Sequence, residues 1–568
     1  MTQPIKTTIT AALLTQAALS ACSPNVPSQP RLVLQITVDQ LRGDLPTRYF
    51  DRLSEGGFRY LWDSGLVYTD AHHAHANTET IVGHTTLATG AHPAVHGMIG
   101  NTWLDRTTGT LVYNIEDARY TLLTTGADVD RETEIDPTQR VAHSEGRSPA
   151  AILVPTFSDE LAKSNGDAKI FAVSVKDRGA VPLAGDSGKA FWFSKASGEF
   201  VTSSYYYDRY PAWVEEWNER RVAFDYAGES WTLLHDASTY MFGDADDQPW
   251  EADIAGFGRT FPHMYGDAEG PYFTTFLTLS PAGDRLTAEF AKELIDREQL
   301  GQDEVTDFLA VSFSSTDYVG HVFGPSSLEA EDNLLRLDRV LADLFAFVDR
   351  TVGLDRTLIV LSADHGSPEA PGYAMSQGTP AGYVDPSSWD TEAAIDAIKR
   401  RFDIRGELIA MYEHPYIYLG AEVTERSDTE RAAIEQAVAE EATKLSGVSV
   451  AVSSRSLLAG EVPDSPVMQS VLKSFNAGRS GDVFVVFEPQ WFINDFDGLI
   501  VAATHGSPWR YDTHVPIVFA GPGIAARHVD RKVLTVDVAP TLAALLGIDR
   551  PSGAVGVILV EVMGTGPH

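Results

Sequence analysis

The chemistry available to this chain starts from one hydroxyl. Thr80 stands in Asn77-Thr78-Glu79-Thr80-Ile81-Val82-Gly83-His84, a loop that reads as turning into a helix with its first N–H groups facing an anion. A threonine in that place is ordinarily an N-cap. It becomes a candidate nucleophile through the acids and imidazoles found elsewhere, at Asp39, Asp317, His321, Asp364, His365 and His505. Each lies near the end of an apolar run. A threonine hydroxyl attacks poorly unless its proton is made easier to lose, and metal coordination is one of the few ways to do that.

The spacing of these residues sets conditions on their surroundings. Asp317 and His321 are four apart, so one turn of chain brings both to one ion, and Gly320 with Gly324-Pro325 favours a loop there over a regular helix. Asp364 and His365 are adjacent, and on a strand they would diverge to opposite faces. They can share a metal only if the strand ends there, which Gly366 permits. Thr504-His505-Gly506 repeats that turn setting. Lys176 and Arg178 follow a strand two residues apart. In extended chain both would face one way and Asp177 the other, although the ordinary reading of such a pair is a solvated surface.

The elements that would position these groups are apolar runs of strand length. They are Leu32 to Val38, Ala168 to Ser174, Asp307 to Phe313 and Arg356 to Ser362, each ending just before the polar residues named above. Ligands in open α/β sheets lie at such carboxyl ends. Between strands the period turns helical, as from Tyr49 to Gly65. This alternation predicts an α/β fold, a doubly wound, mostly parallel sheet with helices on both faces. Two regions interrupt it and read as cap insertions, an aromatic-rich one at about 187–282 and one at about 368–490. The second has helices of its own at Thr391 to Phe402 and Asp428 to Leu445, and strands at Val448 to Val452 and Asp482 to Phe487. The core resumes at His514 to Phe519 and closes with a helix near Ala539 to Leu546.

Other clusters carry less. His72, His73 and His75 read as loop or supporting residues. His84, one helical turn past Thr80, reads as packing beside the site. Asp244, Asp246 and Asp247 lack the glycine of an EF-hand and read as a solvated acidic loop.

At the N-terminus, Lys6, the apolar stretch from Ile9 to Leu14 and Leu19-Ser20-Ala21-Cys22 read as an export signal over 1–21, too short to span a bilayer. The last four of these residues resemble a bacterial lipoprotein cleavage box, with Cys22 as the lipidated first residue and 22–30 as a tether. Ser23 after the cysteine points to an outer-membrane or other periplasmic, cell-surface lipoprotein. Cys22 is the single cysteine, so no disulfide forms within the chain. With 79 acidic against 43 basic residues the formal charge is −36, a surface that repels nucleic acid and anionic lipid. Contact with a membrane would therefore run only through the lipid on Cys22.

Taken together, Val38-Asp39-Gln40, Thr78-Glu79-Thr80, Gly83-His84, Gly100-Asn101, Lys176-Asp177-Arg178, Ser315 to His321, Ala363-Asp364-His365-Gly366 and Thr504 to Pro508 closely resemble the alkaline phosphatase superfamily. Within it they resemble the bacterial phosphatases that use threonine as nucleophile. The motifs run in family order from residue 38 to 508 and so cover nearly all of 31–568.

The resemblance implies two zinc ions, one on Asp317, His321 and His505, the other on Asp39, Asp364 and His365 with Thr80 bridging, and it leaves room for further Ca²⁺ or Mg²⁺. It implies a phosphothreonine on Thr80, with Asn101, Lys176 and Arg178 binding the phosphoryl group. Two cations and an amide suit the dianion of a phosphate monoester better than the monoanion of a diester. A phosphodiesterase or nucleotide pyrophosphatase of the same fold is the alternative. An inactive phosphate-binding lipoprotein is a remote one, since it would require a broken ligand shell.

Overall fold

A computed structural model describes residues 1, 29–496 and 498–564. Cys22 and most of the tether lie outside the described residues. The centre is a ten-stranded sheet made of β1 (Leu32–Val38), β2 (Leu66–His72), β3 (Ile170–Ser174), β4 (Lys189–Phe193), β5 (Phe200–Val201), β6 (Asp307–Phe313), β7 (Thr357–Ser362), β8 (His514–Ala520), β9 (Arg527–Val529) and β10 (Val533–Leu534). The order is β9-β2-β8-β7-β1-β6-β3-β4-β5, and β10 also pairs with β2.

From β7 through β1, β6 and β3 to β4 the strands are parallel. Residues in β1, β3, β6 and β7 are buried throughout, which is why these strands read as unbroken apolar runs rather than alternating ones. Helices cover the two faces, among them α1 (Thr80–Thr89), α2 (Phe157–Ser164), α3 (Asp177–Ala184), α4 (Pro281–Arg297), α5 (Ser315–Phe323), α6 (Leu328–Thr351) and α7 (Val538–Leu546). The predicted α/β architecture is the one observed.

Three expectations change. β8 runs antiparallel to both β7 and β2, so one flank of the sheet is mixed. Tyr49 to Gly65 is not one helix: a short 3-10 turn at Phe50–Arg52 precedes a helix at Phe58–Ser64, because Gly56 and Gly57 fall in the middle and glycine disfavours a helix interior. The region from Ser187 does not leave the core at once, since β4 and β5 extend the sheet before the chain departs.

The departing part packs on the first turn of α6. There Glu331 accepts from the N–H groups of Met241 and Phe242, both at 3.0 Å, and Asp332 accepts from Trp231 Nε1 at 2.6 Å and Leu234 N at 2.7 Å. The second insertion builds its own four-stranded antiparallel sheet from Ile409–Glu413, Tyr416–Leu419, Val448–Ser453 and Val483–Phe487, with a separate apolar cluster beneath it.

Candidate active site

The carboxyl ends of the central strands bring the candidate ligands together. Asp39 follows β1, Asp317 and His321 follow β6, Asp364 and His365 follow β7, and His505 arrives from the loop before β8. Two groups form, Asp317 with His321 and His505, and Asp39 with Asp364 and His365, and the candidate ligand atoms within each lie within 4.8 Å of one another. The rings of His365 and His505 stack with centroids 3.5 Å apart, which sets the two groups side by side.

Asp317 and His321 meet differently from the expected loop. They lie four apart on one face of α5, with His321 Nε2 3.2 Å from Asp317 Oδ1. Gly320 does not break this helix; its missing side chain makes room, since a Cβ there would fall 1.7 Å from Gln40 Oε1. β7 stops at Ser362, so Asp364 and His365 are free of the strand alternation and converge as required.

Each of the three histidines is anchored through Nδ1. His321 donates to Ala503 O at 2.8 Å, His365 to Gly366 O at 3.0 Å and His505 to Thr78 O at 2.7 Å. That fixes the tautomer and turns every Nε2 lone pair toward the carboxylates, the arrangement in which imidazole binds a metal. Burial holds His365 and His505 below the ordinary imidazole value and hence neutral.

The carboxylates diverge: in spite of burial, Asp317 beside His321 and Lys176, and Asp364 beside His365 and His84, are held below the ordinary carboxylate value. Burial, with Asp317 and Asp364 nearby, pushes the Asp39 carboxyl well above its ordinary value. Asp39 Oδ1, Asp364 Oδ2 and His365 Nε2 are buried without a hydrogen-bond partner. Three acids and three imidazoles anchored through Nδ1, with orphaned atoms on Asp39, Asp364 and His365, form a set that two zinc ions fit, each with three protein ligands.

Thr80 is buried at the first position of α1, after Glu79. The helix sits tight against the site, because a Cβ on Gly83 would meet Asp364 O at 1.9 Å. His84 ties the two together. Its Nδ1 lies 2.9 Å from Thr80 O and 3.2 Å from Asp364 Oδ2, and its Nε2 lies 2.8 Å from Ser312 Oγ. Asn101 is held with Oδ1 accepting from Ile81 N at 3.2 Å and with its own N–H donating to Glu79 at 2.5 Å. Burial pushes the Glu79 carboxyl up to about 8.

Lys176 and Arg178 do not share an extended segment. Lys176 caps α3 and Arg178 lies inside its first turn, and the two bind different carboxylates. Fully buried Lys176 Nζ reaches between the groups, 2.7 Å from Asp39 and bonded also to Asp317. Arg178 pairs with Asp136 at 2.6 Å, and its Nε stays buried and unpaired.

Thr80, Asn101, Arg178, Asp317, His321 and His505 line one cavity of about 120 Å³, whose far wall is apolar and includes Ile254, Leu279, Phe487, Phe492 and Leu499. Both insertions thus contribute to its walls.

Two residues to which sequence reasoning gave no role are Gln40, read only as part of a motif, and Asp136. Gln40 has a left-handed backbone (φ 67°), donates from Nε2 to Asp317 at 2.9 Å and from its backbone N to Asp364 at 3.1 Å, and so spans both groups. Asp136 caps the turn that begins at Pro137, and Asp-Pro-Thr at 136–138 was the available signal. His73 bonds Ala363 O, next to Asp364. Asp247 pairs with Arg259, and Asp244, Asp246 and Asp247 join no candidate ligand group among the described residues.

A family model described as type I phosphodiesterase / nucleotide pyrophosphatase matches residues 33–508. The chain belongs to this family. It is 32% identical over 546 residues to the alkaline phosphatase PhoV of Synechococcus elongatus, covering 95% of this chain and 94% of that one. It is 33% identical over 563 residues to the alkaline phosphatase PafA of Elizabethkingia meningoseptica, covering 97% and 98%. A third relative, from Myroides odoratus and named a calcium-transporting ATPase, is 34% identical over 544 residues and is covered to 95%. The crystal structure of PafA superposes with a TM-score of 0.84 at 31% identity, covering 95% of this chain and all of that one. The family thus stands within the alkaline phosphatase superfamily on both sequence and fold.

Proposed function

We propose that the protein is a zinc-dependent alkaline phosphatase that hydrolyses phosphate monoesters through a phosphothreonine on Thr80. The observation that carries this reading is the pair of ligand groups with all three Nε2 atoms turned inward beside a threonine at a helix start. Asp317, His321 and His505 would hold one zinc, and Asp39, Asp364 and His365 the other, with the Thr80 hydroxyl. Bound zinc supplies Lewis acidity for the attacking and leaving oxygens.

The chain's own groups do the rest. Thr80 Oγ1 displaces the alcohol from phosphorus, and water then displaces Thr80. The start of α1 and Asn101 Nδ2, which makes no hydrogen bond within the described protein, face the phosphoryl oxygens. Arg178, positioned by Asp136, supplies charge to the same oxygens, and the apolar far wall receives the alcohol part. Lys176, paired here with Asp39 and Asp317, would complete the set where those carboxylates serve as metal ligands. A crystallised PafA variant carries changes at a threonine, an asparagine, a lysine and an arginine, the same four residue types in the same order as Thr80, Asn101, Lys176 and Arg178. The phosphodiesterase alternative draws its support from the family description alone.

Thr80→Ala should lower turnover by orders of magnitude and abolish the phosphothreonine trapped by acid quench, while Thr80→Ser keeps much of both. Chelation should stop turnover, and zinc but not magnesium alone should restore it, as imidazole-containing sites prefer zinc. Full activity in Thr80→Ala would overturn the covalent mechanism. The reading extends to an exported, membrane-tethered lipoprotein, for which Leu19 to Cys22 is the support. Cys22→Ser should move the protein from the membrane to the soluble fraction, and a wild type found soluble without lipid would remove that part.

A further inference from the structure

A second place in the fold gathers metal-ligating side chains, and the reaction uses none of them. Asp70 and His72 stand two apart on β2, where the ladder bulges between Tyr68 and Ala71, and their side chains meet. His514, the first residue of β8, pairs directly with His72 across the ladder, where facing side chains start about 5 Å apart. One ligand atom from each of the three lies within 4.8 Å of the others. His72 Nε2 is 2.9 Å from Asp70 Oδ1, and the two imidazole rings are 5.1 Å apart.

Each ring is anchored through one nitrogen, and His72 turns its other, Nε2, toward Asp70. His514 Nε2 donates to Thr69 O at 3.0 Å, and His72 Nδ1 lies 3.2 Å from Thr513 Oγ1. The cation on this cluster is Arg510, whose Nη1 is 3.0 Å from both Asp70 Oδ1 and His72 Nε2. It plays the part that Lys176 plays between Asp39 and Asp317. Its side chain is 64% exposed, so it can turn into solvent and release the ligands at little cost.

We propose that Asp70, His72 and His514 form a third zinc site, distinct from the catalytic pair. Two imidazoles and one carboxylate favour zinc over calcium or magnesium, and water would complete four-coordination. The ion would tie β2, whose chain continues to Thr80, to β8, whose chain follows the His505 loop. Its work is to hold two ligand-bearing segments together rather than to touch substrate.

The test is zinc counting on the full chain, by elemental analysis after gel filtration and by competition with a chromophoric chelator. Wild type should hold one zinc more than His72→Ala and His514→Ala. Arg510→Ala, which removes the competing cation, should hold that extra zinc about tenfold tighter, the scale on which groups adjoining a metal tune its affinity. A chain with His321→Ala and His365→Ala should keep the extra zinc, which separates this site from the catalytic reading. Equal zinc content in wild type, His72→Ala and His514→Ala would overturn the proposal. So would an Arg510→Ala chain that holds zinc no more tightly, an outcome that does not depend on the histidine variants folding.

Discussion

At the scale of the residue, five of the six candidate ligands could be read from the sequence because they come after a buried strand, where a charged group has few roles besides chemistry, whereas His505 precedes one and was marked only by its Thr-His-Gly turn. Gln40 could not be read that way. A glutamine after a strand carries no signature, and its role arises from a left-handed turn and from a gap that only Gly320 leaves. Removing its side chain should affect one metal group and spare the other, because Asp317 is held by Nε2 whereas Asp364 is held by the backbone N–H. Gln40→Ala is therefore expected to weaken zinc at Asp317, His321 and His505 by about 10- to 100-fold. Gly320→Ala, which drives a Cβ into Gln40, should do the same. Zinc competition checks this, and equal weakening at both groups would show that the glutamine acts only through the general fold.

At the scale of the element, the failures of sequence reading have a common cause: a boundary decides which side chains face each other. Lys176 and Arg178 straddle a strand-to-helix junction, so neither strand nor helix spacing alone gives their directions. Asp317 and His321 fall on a helix that two glycines argued against, because local preference yields to close packing. The attachment of the first insertion was hidden for a further reason: its anchors, Glu329, Glu331 and Asp332, are acidic residues whose partners lie far off in the chain, and nothing local marks them as buried.

Glu329 gives this anchor a test. It is fully buried, its Oε1 is 3.2 Å from His263 Nε2, and burial pushes its carboxyl up to about 8. His263, held down to about 4 by burial, donates Nδ1–H to Phe257 O, so a protonated Glu329 donates to its Nε2. A carboxyl raised on folding stabilises the fold least where the unfolded chain is ionised. Stability from this group is therefore complete below the unfolded value near 4.5 and falls as pH rises toward 8. Glu329→Gln keeps the donor without the charge. It should raise stability by on the order of 2 kcal/mol at pH 8 and by almost nothing at pH 4, measured by denaturant unfolding. An equal effect at both pH values would contradict the protonated pair.

At the scale of the whole molecule, the parallel core was visible in the sequence because strands buried on both faces are apolar end to end. The antiparallel flank was not, since β8 pairs with β2 across more than four hundred residues and nothing local marks the partner. The cavity was equally hidden: its polar end comes from motifs, but its apolar wall is assembled from both insertions. The resulting site buries Lys176 and Arg178 in a chain of charge −36, each paired with carboxylates, Lys176 with Asp39 and Asp317 and Arg178 with Asp136.

The central claim is that the anion bound at this site is the doubly charged phosphoryl group of a monoester. The most direct measurement is kcat/KM for an aryl phosphate and for the matching bis-aryl diester, in wild type and in the Lys176→Ala, Arg178→Ala variant, with zinc content checked in both. Losing such contacts costs on the order of 10²–10³ in rate where they act on developing charge. Wild type should favour the monoester strongly, and the variant should lose most of that preference while retaining both zinc ions. Equal losses on the two substrates, or a wild type that favours the diester, would contradict the account.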